Sequence, residues 1–120
     1  MVTVIKNSIE TIIEIKGLHK LWSFKSEIRI ANEHIIRVYQ DLNEIENFSG
    51  LRVPGTYVPY LIKAGTFYQY PDSSKTFLDI VNENNVIIIE MKDEEYKKIM
   101  VEVENPEETI KLLKESNYTN

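Results

Sequence analysis

The chain has 120 residues, with 14 Lys and Arg against 19 Asp and Glu, two His and no Cys, for a formal charge of −5. Its 42% hydrophobic content is that of one soluble globular domain spanning 1–120, large enough to bury about two-thirds of its unfolded surface without metal or disulfide. The lack of cysteine excludes thiolate nucleophiles, cysteine-based zinc sites, iron–sulfur clusters and disulfide frameworks, and the acidic balance argues against nucleic acid as a partner.

At the N-terminus, Met1-Val2-Thr3-Val4-Ile5-Lys6 has neither the basic region nor the long apolar stretch of an export signal. The longest uninterrupted apolar run, Val86-Ile87-Ile88-Ile89, is far too short to span a bilayer, so the expected location is cytoplasmic. Further on, apolar residues recur mainly with period two, the signature of strands with one buried face. Thr11-Ile12-Ile13-Glu14-Ile15, Glu27-Ile28-Arg29-Ile30 and Ile36-Arg37-Val38 read as strands, with a turn at Ala31 to His34. Gly65 to Tyr70 and Thr76 to Val81 read likewise and are separated by the turn residues Pro71-Asp72-Ser73-Ser74. After Asn82-Glu83-Asn84-Asn85, the continuous apolar run Val86 to Met91 predicts a central strand covered on both sides. Asp93 to Lys98 forms a turn, and Ile99-Met100-Val101-Glu102-Val103 is a strand with Ile99, Val101 and Val103 inward and Glu102 outward. Finally, Asn105-Pro106-Glu107-Glu108 supplies a cap, a proline at the first helical position and acids in the first turn, ahead of Ile110, Leu112 and Leu113.

About seven strands and one terminal amphipathic helix suit a bent antiparallel sheet or barrel with the helix over an open end. Parallel pairing is not expected, because the helical crossovers it usually requires are missing. The text around Gly17-Leu18-His19-Lys20-Leu21-Trp22, Gly50 to Pro59, Ala64-Gly65-Thr66-Phe67 and Val86 through Pro106 resembles small bacterial proteins of the pleckstrin-homology-like superfamily. That resemblance implies a mainly β barrel of about seven antiparallel strands, in two near-orthogonal sheets, capped by one C-terminal α-helix. It also implies a scaffold used for binding lipids, peptides or proteins and rarely for catalysis.

Two surfaces stand out as candidate sites. Gly50 to Tyr60 holds half the glycines and half the prolines, and Arg52, Tyr57, Val58 and Tyr60 there form a candidate patch for a protein partner or for self-association, or else seal the barrel mouth. Its two glycines five apart mimic a phosphate loop, but Thr56 stands where the phosphate-binding Lys is needed. The most basic stretch offers Lys16, Lys20, Lys25 and Arg29 with Trp22 among them, a candidate contact for an anionic ligand or membrane surface; the alternative is a water-facing set of cations over buried aromatics. His19 and His34 sit in turns without metal-ligand spacing, and no cofactor or metal is expected. Ser23, Ser26 and Ser49 lack a nucleophile elbow. The leading expectation is a non-enzymatic interaction module that binds protein or peptide, or itself, through the loop or a strand edge. A lipid- or small-acid-binding domain is the alternative, and a hydrolase the third reading.

Overall fold

In a computed structural model, residues 2–16, 26–48, 51–52, 63–69 and 74–114 are described. They form β1 (Val2–Lys6), β2 (Glu10–Ile15), β3 (Glu27–Ala31), β4 (Ile35–Tyr39), α1 (Leu42–Glu46), β5 (Leu51–Arg52), β6 (Lys63–Gln69), β7 (Ser74–Ile80), β8 (Val86–Met91), β9 (Lys98–Glu102) and α2 (Pro106–Lys114). The fold is mainly β with two sheets and a C-terminal helix, as expected. Strand count and pairing differ from expectation.

A small sheet has the order β1-β2-β3, and a large one β4-β8-β9-β7-β6-β5; neither closes on itself among the described residues. β1 was not anticipated: Val2-Thr3-Val4-Ile5-Lys6 pairs antiparallel with β2, with Val4 opposite Ile13. The turn between them is an Asx turn, in which Asn7 Oδ1 accepts from the amides of Ile9 and Glu10 at 2.9 Å each. Buried Asn32 stitches that turn to the end of β3. It accepts from Thr11 Oγ1 at 2.6 Å and donates to the Asn7 carbonyl at 2.8 Å.

In the large sheet β7 and β9 run parallel, with Phe77 opposite Ile99 and Asp79 opposite Val101. This corrects the all-antiparallel expectation. The crossover is made not by a helix but by β8: the chain leaves β7, passes beyond the position of β9 through a 3₁₀ turn at Glu83–Asn85, forms β8, and returns as β9 between the two. Glu102 holds this passage. Rather than facing outward it is 7% exposed, and one carboxylate oxygen accepts from the amides of Val81 (2.9 Å) and Asn82 (3.1 Å).

Both faces of the large sheet are covered. On one, Phe77, Ile87, Ile89, Ile99 and Val101 pack against Ile13, Ile15, Ile28 and Ile30 of the small sheet, with Ile110 and Leu113 of α2 at the side. On the other, Leu78, Ile80, Val86, Ile88 and Met100 lie under Ile45 of α1, with Tyr39, Phe48 and Phe67 around them. Two-sided burial explains the unbroken apolar run of β8. It also makes Met100 as buried as its neighbours, which a one-faced reading of β9 did not foresee. The helix α2 begins as predicted, with Asn105 Oδ1 accepting from the Glu108 amide at 3.2 Å. It packs beside β1, β4 and β8.

Candidate functional site: an open strand edge beside the C-terminal helix

Of the residues singled out by sequence, Tyr57, Val58, Tyr60, Lys20, Trp22 and Lys25 lie outside the described residues, and Arg52 is described through its backbone pairing with Phe67 of β6. Lys16 is exposed just past β2. Arg29, on β3, is held by two carboxylates: Nε to Glu27 at 2.6 Å and Nη1 to Glu10 at 2.8 Å. Its charge is therefore matched within the molecule. His34 is half-buried rather than solvated, with Nδ1 2.6 Å from Glu94 Oε2. The same oxygen accepts from the Ala31 amide at 3.2 Å, tying the turn after β8 to the end of β3. Among the described residues, no group of three or more His, Asp or Glu is placed to hold a metal ion, and no helix is long and apolar enough to cross a membrane.

The densest polar cluster lies on the α1 side of the large sheet. A bulge at Ile36 brings Arg37 opposite Glu90, which is in turn opposite Lys98, so three charges share one rung of β4, β8 and β9. Arg37 grips Glu90 through two hydrogen bonds, at 2.8 and 2.9 Å. Tyr39 Oη lies 2.8 Å from Glu44 and 3.1 Å from Glu90, and Lys98 Nζ pairs with Glu44. The hydrogen bonds from Arg37 hold the Glu90 carboxyl below its ordinary value, against the effect of partial burial. Burial and the neighbouring Glu44 push the Tyr39 phenol up. Two cations, two carboxylates and a phenol satisfy one another here. The arrangement ties α1 to the sheet and leaves no group asking for a ligand.

The edges of the small sheet behave differently. Antiparallel pairing alternates hydrogen-bonded and non-hydrogen-bonded pairs. The bonds Ile15 N to Ser26 O and Asn32 N to Ile9 O direct odd-numbered residues of β2 toward β3, and Asn7 N to Glu10 O directs its even-numbered residues toward β1. The amides and carbonyls of Glu27, Arg29 and Ala31 therefore face out from β3, and those of Val2, Val4 and Lys6 face out from β1. On β3 that edge is blunted: Glu94 occupies the Ala31 amide, and Glu27 and Arg29 flank it with charge. On β1 Val2 is buried in the core, 4% exposed, and the edge opens at half-buried Thr3 and Val4, where no charged side chain takes an outward amide among the described residues.

This β1 edge borders a groove of about 480 Å³. Its floor and walls are Val2, Thr3 and Val4 on one side and Val103, Glu104 and Asn105 on the other. Glu108, Thr109 and Leu112 continue the second wall along α2. On a helix, residues 105, 108, 109 and 112 form one stripe by their spacing of three and four. It is a different stripe from Ile110 and Leu113, which enter the core. The groove is stopped at one end where Lys6 Nζ donates to the Leu112 carbonyl at 3.2 Å. In sequence Leu112 falls on one apolar stripe with Ile110 and Leu113, and only the packing separates it from the core pair. Comparison with protein-family models, with curated proteins and with solved structures finds no match to this chain.

Proposed function

We propose that this chain is a non-enzymatic interaction module that takes an extended peptide segment as a fourth strand on the open edge of β1, in the groove against α2. The observation that carries the reading is the outward set of backbone groups at Val4 and Lys6 beside a groove in which Val4 and Leu112 are half-buried. Strand addition obtains affinity from main-chain hydrogen bonds and selectivity from pockets for alternate side chains, and this edge supplies both. The reading as a lipid or small-acid binder has less support: Arg29 is already held by Glu10 and Glu27.

The test uses two proline substitutions with opposite expectations and an array of random-sequence heptapeptides. Val4→Pro removes an outward amide, which an edge strand tolerates, and should abolish peptide capture at a smaller stability cost than Thr3→Pro, its loss being that of the half-buried Val4 side chain. Thr3→Pro removes an amide directed at β2 and should destabilise the protein instead. Capture that survives Val4→Pro would sink the proposal.

A further inference from the structure

The charge of the groove specifies what kind of strand it takes. Its ionisable lining consists of Glu104 and Glu108, both exposed, and neither has a cationic partner among the described residues. Contrast the other clusters of the molecule, where Arg37, Lys98 and Arg29 neutralise nearby carboxylates at 2.6 to 2.9 Å or in direct contact. Among the described residues, no lysine or arginine lines the groove beside them. Such a field concentrates cationic segments at the site and disfavours anionic ones through like-charge juxtaposition. An added strand presents alternate side chains to opposite faces. One set then meets the half-buried Val4 and Leu112, and the other lies along the rim where the two glutamates stand.

We infer that the occupant of the β1 groove is a basic extended peptide in which Lys or Arg alternates with a medium-sized apolar residue. The inference rests on the strand-addition reading and adds the class of ligand to it. A second copy of this chain meets the requirement less well, because β1 offers a single cation, Lys6, and its ammonium already donates to Leu112.

Three fluorescein-labelled heptapeptides alternating Val with Lys, with Gln or with Glu provide the test, measured by anisotropy against the full chain. Two exposed ion pairs of ordinary strength give the Lys peptide an advantage of about tenfold over the Glu peptide at low salt, shrinking as ionic strength rises. In the Glu104→Lys, Glu108→Lys double variant the order should invert, and in the Glu104→Gln, Glu108→Gln variant it should flatten, so a folding defect in one is checked by the other. Equal binding of all three peptides, abolished by Val4→Pro, would overturn the basic class and leave strand addition standing. A Lys preference unchanged in both double variants would also overturn it, by placing the contact elsewhere. Binding of none of the peptides, or binding indifferent to Val4→Pro, would remove the strand-addition reading itself. A dimer in native mass spectrometry that Val4→Pro dissolves would assign the edge to a second copy and overturn the basic-peptide inference.

Discussion

Glu102 is the acidic residue that an alternating pattern would send to solvent, yet its carboxylate replaces the ladder partners that the link after β7 lacks at Val81 and Asn82. Truncating it leaves two amides without their acceptor, so Glu102→Ala should lower stability by about 1–3 kcal/mol in urea unfolding, and Glu102→Gln, which keeps the acceptor oxygen, by less. Glu90 provides the acid-side prediction. Its folded pKa lies below the ordinary value because Arg37 bonds the charged form. The unfolded chain therefore takes up that proton first as pH falls. The stabilisation is present above the ordinary carboxylate pKa of about 4.3 and is lost as pH falls through the depressed value. Glu90→Gln should flatten the loss of stability below pH of about 4.3. Tyr39 acts on the opposite limb: its phenol is raised by burial and by Glu44, so the folded state keeps the proton and stability declines once pH climbs past the unfolded value of about 10. Alkaline titration followed at the phenolate absorbance band should lose a late-ionising component in Tyr39→Phe.

At the scale of elements, α1 is the least expected feature. Five residues cannot sustain an isolated helix, because nucleation is unfavourable and too few hydrogen bonds follow it. What holds α1 is tertiary: Asp41 Oδ1 caps the Glu44 amide at 3.1 Å, Lys98 binds Glu44, and Ile45 is 1% exposed against Ile88 and Met100. Ile45→Ala should therefore cost about 2–5 kcal/mol and loosen the second face of the large sheet, read as a loss in denaturant midpoint. The terminal helix α2 differs in that its cap, its proline and its apolar stripe are all local signals. Asn105→Ala should cost about 1 kcal/mol, and it would also alter one wall of the groove.

Across the whole molecule, the layers run small sheet, large sheet, α1, and β8, β9 and β7 lie inside the large sheet of this stack. All three are paired on each edge and covered on each face, whereas β1 is paired on one edge only. Native-state hydrogen exchange should be slowest at Phe77 to Asp79, Ile87 to Ile89 and Ile99 to Val101 and fast at outward edge amides such as that of Val4. Addition of a bound strand should slow Val2 and Val4 selectively. The same architecture separates the two ends of the small sheet: Glu94 takes the Ala31 amide on β3, with Glu27 and Arg29 beside it, so strand addition is proposed for β1 alone.

Hydrophobic period, turn chemistry and the Asn105-Pro106 start are properties of neighbouring residues, and they were enough to read the mainly β class, the positions of β2, β3, β4, β6, β7, β8 and β9, and α2 from the chain alone. The candidate site was not legible in the same way. Which edge of a sheet stays open depends on hydrogen-bond alternation across three strands, and the groove exists because Val2 to Val4 and Val103 to Leu112, distant in sequence, lie side by side. The parallel β7–β9 pair, the burial of Met100 and Glu102, and the existence of α1 likewise depend on what covers the second face of the large sheet. Local pattern records that a residue is apolar or charged; only the packed structure decides how many faces of a strand must exclude water.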